Sequence, residues 1–354
     1  FYKNPMALPA LIQILQSNEN DGLKKLAAVE ANKLVPKQWE TLDASFQQQI
    51  RDTILPFAFT YPKETVRHST ARLIAEISNL DIPAKKWDSL LNSLVESATD
   101  SNQQTREMAT YILFCILETF PIEWLNHAQS FMDLFSKTLQ DVQSPNVQIN
   151  SILGLEVLAS FIEEEEELIG TLAAPFSTLF PAMIQVLRNS LSFDDSEKTR
   201  ELFTAFNSFI LLDMQFLGNN FIDILNVMVE VSVNTEVDPE IRGFALKTLT
   251  QCVSYRKSKV VQAQLGPSLT QAALRIASEE DEEAEEKLSK EDEENENEED
   301  EPTTLALRFL NTLAVNLPPN QVIVPIMELV PQLLSSQDQY QRQAALLAIC
   351  VSVE

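Results

Sequence analysis

Residues Val66-Arg67-His68-Ser69-Thr70-Ala71 decide the fold, because their pattern returns along the chain. An apolar or Thr residue precedes a basic or amide residue, and an apolar-periodic stretch of about four helical turns follows. The pattern recurs at Leu23-Lys24-Lys25-Leu26-Ala27, at Thr105-Arg106 before Ala109, and at Val147-Gln148. It returns at Thr199-Arg200, at Ile241-Arg242 before Ala245, and at Gln341-Arg342 before Ala345. Positions 24, 67, 106, 148, 200 and 242 lie 39 to 52 residues apart. Position 342 follows after 100 residues, room for two repeats and an insertion, with the missing helix at Thr304–Leu317.

An amphipathic stretch precedes each of these helices. The first helices are expected at Met6–Ser17, Ser45–Phe59, Ala84–Ala98, Ile122–Leu139, Leu172–Leu191, Asn220–Val233, Ser258–Ala277 and Gln321–Ser335. Pro36, Pro62, Pro83, Pro145, Pro239 and Pro302 punctuate the stretches, and strand signals are nearly absent. A two-helix unit of about 40 residues is the HEAT period; tetratricopeptide and ankyrin units run at ~33–34. The reading is an all-α fold over residues 1–354: a HEAT-repeat α-solenoid of about eight antiparallel helix pairs in a right-handed superhelical array.

Ala27, Ala71, Ala109, Ala245 and Ala345 mark expected close helix approaches. The basic residue opening each second helix sits where the helix dipole prefers anions. Acidic residues preceding it (Asp21, Glu64, Glu197, Glu240, Asp338) predict a charge ladder between repeats. Trp39, Trp87 and Trp124, and the series Phe203, Phe206, Phe209, Phe216 and Phe221, read as core.

The chain has 52 Asp/Glu against 26 Lys/Arg, a formal net charge of -26. Such a charge disfavours nucleic acid and anionic membranes and suits basic protein partners. No apolar run approaches a membrane span. The first residue is Phe1, which reads as a fragment of a longer protein. Cys115, Cys252 and Cys350 are far apart in apolar surroundings, and this usage fits a reducing compartment.

The charge is concentrated. Residues 279–301 hold 16 acids and two lysines: Glu279, Glu280, Asp281, Glu282, Glu283, Glu285, Glu286, Glu291, Asp292, Glu293, Glu294, Glu296, Glu298, Glu299, Asp300 and Glu301 are the acids. With so few apolar residues the segment is expected to be a disordered insertion within one repeat. It is a candidate contact for a basic partner; a solvating loop is the alternative. Glu163, Glu164, Glu165, Glu166 and Glu167 form a second acidic run after an expected helix end, where the dipole disfavours them.

Signs of catalysis are absent. Six Gly form no G-x-G pair, so nucleotide-binding fingerprints are missing. His68 and His127 are the two histidines, and no paired His or Cys suggests a triad or metal site. No cofactor and no enzymatic activity are expected. The basic stretch Tyr255-Arg256-Lys257-Ser258-Lys259 reads as the cap of a second-helix C-terminus.

Val66-Arg67-His68-Ser69, Phe209-Ile210-Leu211-Leu212-Asp213, Ser254-Tyr255-Arg256-Lys257-Ser258-Lys259 and Leu265-Gly266-Pro267, followed by an acidic insertion, carry a resemblance. In combination they resemble the importin-beta (karyopherin-beta) family of nuclear transport receptors, within it the fungal karyopherin-123 and importin-4 type. The resemblance spans the whole chain and corresponds to the N-terminal third of a longer receptor. It implies Ran-GTP binding through second helices within residues 20–160. It also implies FG-repeat nucleoporins in apolar grooves between first helices, and basic cargo, histones and ribosomal proteins, on an acidic concave face. Cargo release by Ran-GTP and shuttling of a monomeric carrier between cytoplasm and nucleus follow from the same resemblance. A HEAT scaffold of a signalling complex and an acidic histone chaperone are the competing expectations.

Overall fold

The computed structural model describes residues 3–119, 127–193, 196–212, 214–280 and 301–353. Among them are eighteen α-helices and no strand. They fall into two compact units, Phe1–Val186 and Leu187–Glu354.

The first unit holds four helix pairs: α1 (Ala7–Ser17) with α2 (Asp21–Gln38), α3 (Ala44–Thr60) with α4 (Glu64–Asp81), α5 (Ser89–Ser97) with α6 (Gln103–Thr119), and α7 (Ala128–Thr138) with α8 (Pro145–Ile162). The second helices α2, α4, α6 and α8 pack one against the next. Next come α9 (Glu166–Ser177) and α10 (Phe180–Ser190), the latter running across the boundary between the units.

The second unit continues with α11 (Ser196–Leu211), α12 (Met214–Leu217), α13 (Asn220–Ser232) and α14 (Pro239–Gln262). It closes with α15 (Gly266–Ala277), α16 (Pro302–Asn316), α17 (Pro319–Leu334) and α18 (Gln339–Val353). Here α11, α14, α16 and α18 pack in series, and α13, α15 and α17 each pack on the second helix that follows. The helix-pair array is therefore the fold.

Local chemistry sets the ends. Asn20, Asp43 and Asp238 each accept a backbone N–H of the first turn they precede, of Leu23, Ser45 and Glu240 respectively. Pro145, Pro239, Pro302 and Pro319 stand in first turns, where the missing N–H costs nothing.

Three expected first helices differ from the structure. The stretch Leu172–Leu191 breaks into α9 and α10, bent by 54°. Pro181 in the first turn of α10 has no N–H to carry the α9 ladder onward. The stretch Ala84–Ala98 starts late, at Ser89, because Lys85 takes φ 56° in the turn after Pro83. The stretch Ser258–Ala277 is divided as well: α14 runs on to Gln262, Gln264 takes φ 56°, and α15 starts at Gly266.

The core follows the periodicity. Trp39, Phe135, Phe176 and Phe180 are fully buried in the first unit. Phe203, Phe206, Phe209, Phe216, Phe221 and Phe309 are fully buried in the second. Each such aromatic contributes about 1.5–3 kcal/mol by leaving water. Trp87 is buried as expected; Trp124 lies outside the described residues. All five alanines expected at close approaches are buried. Two helices also approach closely at Gly154 on α8, where a Cβ would stand 2.5 Å from the Phe135 ring on α7.

Burial pushes the Cys115 and Cys252 thiols up to about 12, which keeps them protonated and unreactive. Cys350 differs from the expectation: it is exposed.

Candidate partner-binding surfaces

The repeated polar residue has a different duty from the one its spacing suggests. Lys24 Nζ donates to the carbonyl of Leu15 at 2.7 Å. Gln148 Nε2 donates to Leu139 O and Arg242 Nε to Ser232 O, both at 2.9 Å; in the fifth unit Thr199 Oγ1, one position before Arg200, donates to Ser190 O at 2.9 Å. Each donor reaches back 9 or 10 residues to the end of the preceding helix. Arg67, Arg106 and Arg342 reach back 5 or 6 residues to turn carbonyls: Tyr61 and Pro62, Asp100 and Ser101, and Ser336.

Helix ends leave four carbonyls without intrahelical partners, and a buried cation satisfies them at short range. This requirement, more than repeat-to-repeat charge pairing, explains the residue type. The ladder exists in part. Arg106 pairs with Asp141 at 2.7 Å, Arg200 with Glu240 at 2.5 Å, and Arg242 with Glu279 at 2.6 Å. Glu240 belongs to the expected set; Asp141 and Glu279 do not. Asp21 instead accepts the Tyr61 hydroxyl at 2.6 Å.

Lys24 also sits 5.1 Å and 4.9 Å from the ring centres of Phe57 and Tyr61. Burial lowers its pKa, against the opposing charge of Asp21.

The acidic segments separate into different roles. Arg242 Nη2 donates to both carboxylate oxygens of Glu279, at 2.6 and 2.7 Å. The first residue of the run is thus committed to the fold by a paired, partly desolvated contact. Glu280 is exposed, and Glu301 precedes the first turn of α16, where the dipole favours it. Asp281, Glu282, Glu283, Glu285, Glu286, Glu291, Asp292, Glu293, Glu294, Glu296, Glu298, Glu299 and Asp300 lie outside the described residues.

The run Glu163–Glu167 spans a junction. Glu163 follows α8, whereas Glu166 and Glu167 form the first turn of α9. The expected conflict with a helix C-terminus therefore applies to its first half, and the second half is favoured by the α9 dipole. Glu164 to Glu167 are exposed.

Two surfaces of the first unit were not legible residue by residue. One is the open face of the second helices. Leu23 and Leu26 on α2 are 49% and 55% exposed, one turn apart, beside Val29. Charged and aromatic groups bridge α4 and α6. Arg72 pairs with Glu118 at 3.1 Å, and His68 stacks on Tyr111 with ring centres 4.1 Å apart. Burial, first, and the neighbouring Cys115 thiol raise the Tyr111 pKa. Desolvation alone raises that of Glu76 on α4.

His68 also stands between Glu64 and Glu107, at 3.7 and 4.0 Å. Ligand atoms of these three lie within 4.8 Å of one another, a grouping that the scarcity of histidine did not suggest. An imidazole paired with carboxylates and stacked on an aromatic ring accounts for it as part of the charged face.

The other surface is a groove of about 460 Å³ between the first helices α1 and α3. Met6, Pro9, Ala10 and Gln13 line one side; Phe46, Gln49, Ile50 and Thr53 line the other. Gln16 Nε2 donates to Thr53 Oγ1 at 2.9 Å and ties the two walls together. Apolar walls with amide rims suit a short apolar side chain of a partner peptide.

The basic stretch lies at a helix end, as expected: two helical segments meet at Arg256, whose φ of -125° and ψ of 28° are non-helical, and the second of them runs to Gln262. The carbonyls it caps are not those of its own helix. Arg256 instead caps the preceding second helix, α11. Its guanidinium donates to Ile210 O and Leu211 O at 3.0 Å each, and also to Leu212 O.

Comparison with known proteins agrees with this architecture. Residues 1–60 match the family model Importin-beta N-terminal domain, and residues 62–215 match IPO5-like, TPR repeats. Probable importin subunit beta-4 of Schizosaccharomyces pombe is 32% identical over 359 residues, covering 100% of this chain and 32% of that protein. Importin-4 of Mus musculus is 23% identical over 357 residues, covering 99% of this chain and 32% of that protein. The crystal structure of Kap121p bound to RanGTP superposes with a TM-score of 0.77 at 22% identity, over 100% of this chain and 33% of that one. Kap121p bound to Nup53p gives 0.77 and 22%, over 99% and 33%. The chain spans about a third of the length of the relatives it matches. Two adjoining family matches, a relative aligned over the full chain and a shared array of helix pairs lead to one conclusion: this chain belongs to the importin-beta family.

Proposed function

We propose that the chain serves in a nuclear import receptor, a non-enzymatic carrier moving between cytoplasm and nucleus. The observation that carries the reading is the series of second helices α2, α4, α6 and α8, which begins with Leu23 and Leu26 exposed on an open face of α2. That face is the surface offered to Ran-GTP. The groove between α1 and α3 takes apolar side chains of FG-repeat nucleoporins. Glu280 to Glu301 and Glu164 to Glu167 supply long-range attraction for basic cargo such as histones and ribosomal proteins. Ran-GTP binding displaces that cargo by competition.

The test is capture of purified Ran, loaded with GTP or GDP, on the immobilised chain. GTP-selective capture that falls at least tenfold in a Leu23→Glu, Leu26→Glu variant is expected, since two exposed apolar side chains that the partner would cover become charged. Equal capture of both nucleotide forms, or capture indifferent to these substitutions, would overturn the assignment. The solved relative Kap121p is described as bound to RanGTP and to Nup53p, which supports looking for both here.

A further inference from the structure

His68 on α4 stands beside Glu64, one turn earlier on the same helix, and beside Glu107 on the neighbouring α6. Its Nε2 lies 3.7 Å from Glu64 Oε1 and 4.0 Å from Glu107 Oε1. One ligand atom from each residue falls within 4.8 Å of the others. The i, i+4 spacing stacks Glu64 and His68 on one helix face, and the packing of α4 on α6 brings in the third residue. Charge keeps these groups together, but separations of 3.7 and 4.0 Å exceed hydrogen-bond length. They approach the spacing of donors that share one cation. At ~2.1 Å from a tetrahedral zinc ion, two ligand atoms stand about 3.4 Å apart.

The surroundings suit a metal as well. Tyr111 stacks on the imidazole with ring centres 4.1 Å apart and planes 20° apart, which holds the ring in place. Asn146, in the first turn of α8, donates its Nδ2 to Glu107 Oε1 at 2.9 Å. Carboxylates that ligate metals are oriented by outer hydrogen bonds of this kind. Two carboxylates this close repel each other, and a dication between them turns the repulsion into attraction. Glu107 is buried and held, whereas the Glu64 side chain is 46% exposed and can swing inward to close the ring.

We propose that Glu64, His68 and Glu107 form a binding site for a divalent transition-metal ion of the zinc type. An imidazole nitrogen beside two carboxylates favours such an ion over Mg²⁺ and Ca²⁺, which prefer oxygen ligands alone. Three protein ligands leave a fourth position to water, on the exposed side of Glu64. The bound ion ties α4 to α6, and through Asn146 it stiffens the contact with α8. It acts as a brace across three consecutive second helices of the first unit, separate from the acidic run at residues 279–301.

Calorimetric titration of the metal-free whole chain with Zn²⁺ tests the site. Every sample carries Cys350→Ser, which removes the exposed thiol as a competing ligand. Saturable binding of one ion per chain is expected, and Zn²⁺ should raise the thermal unfolding temperature. Glu64→Gln and His68→Gln should each weaken the affinity roughly tenfold or more. Neither side chain is buried, so circular dichroism should show both variants folded. Excess Mg²⁺ should not displace the ion. Bound Co²⁺ should show ligand-field absorption that His68→Gln alters, a signature that attraction by surface charge does not produce. Zn²⁺ affinity unchanged in either variant overturns the proposal. So does displacement by Mg²⁺, or binding that disappears only when residues 281–300 are deleted, since the chain's other acids would then hold the ion.

Discussion

Arg51 Nε lies 2.7 Å from Asp81 Oδ2, and both side chains are almost wholly removed from water. The second oxygen of Asp81 accepts the indole N–H of Trp39 at 2.9 Å. One carboxylate thus joins α3, α4 and the end of α2. Breaking a buried pair strands the surviving charge, so Asp81→Ala should lower the unfolding free energy by about 3–5 kcal/mol. Urea unfolding followed by circular dichroism measures it. A loss below about 1 kcal/mol would mean that Arg51 finds water or another acceptor at little cost.

Gly154 predicts a steric penalty. A methyl group there meets the Phe135 ring at 2.5 to 2.9 Å, closer than carbon atoms approach. Gly154→Ala should cost about 1–3 kcal/mol by overpacking, despite the gain in helix propensity. Combining it with Phe135→Leu should restore part of the loss. A double-mutant cycle with no coupling between the two positions would show that α7 and α8 move apart freely.

Arg242 holds Ser232 O and both oxygens of Glu279. Arg242→Met keeps the side-chain bulk and removes all three bonds. Hydrogen bonds to charged groups contribute about 1.5–3 kcal/mol each in difference measurements, and the three act as a unit. A stability loss of about 2–4 kcal/mol is expected. Hydrogen exchange at the end of α15 should rise along with it. Unaltered exchange there would separate Arg242 from the anchoring of Glu279.

Glu76 supplies a pH test. Desolvation raises its folded-state pKa above the unfolded value, so the native state favours the protonated form. Its contribution is fully present below the unfolded pKa of about 4.3 and is lost as pH rises through the folded value. Glu76→Gln should therefore stabilise the chain at pH 7 and match the parent once pH falls below about 4. Thermal unfolding across that range decides it; a Gln variant less stable at pH 7 would show the carboxylate to be favourably engaged.

The acidic segment predicts a salt effect. Deleting residues 281–300 while keeping Glu279 leaves the Arg242 contact intact. Binding of a Lys-rich peptide should weaken, and its dependence on salt should flatten. Isothermal titration at two salt concentrations reads both quantities. Unchanged affinity at low salt would remove the segment from the binding of basic partners.

Much of the architecture was readable from the repeated pattern around Arg67, Arg106 and Arg242. A period near 40 dictates paired helices because one pair cannot bury its own apolar stripe. The buried alanines and phenylalanines followed from that periodicity. What failed was local: the break between α9 and α10, and the late start of α5 at Ser89. Pro181 and the positive φ of Lys85 set these boundaries, and apolar periodicity registers neither. The partner surfaces were hidden for a similar reason. Leu23 and Leu26 read as ordinary apolar helix positions until Ala27 and Ala28 are seen to take the buried side. Glu279 read as one more acid in a run, and only its neighbour in space, Arg242, separates it from the rest.

The backward hydrogen bonds from Lys24, Gln148, Thr199 and Arg242 bear on how the chain reaches its structure. Each spans 9 or 10 residues. A loop of that length closes in about 10–100 ns, far faster than any pairing of distant segments. Every such turn can thus be fastened before its neighbours arrive, and the long array belongs to the low-contact-order class despite its size. Assembly then spreads outward from whichever pair closes first, so no single end of the chain has to lead.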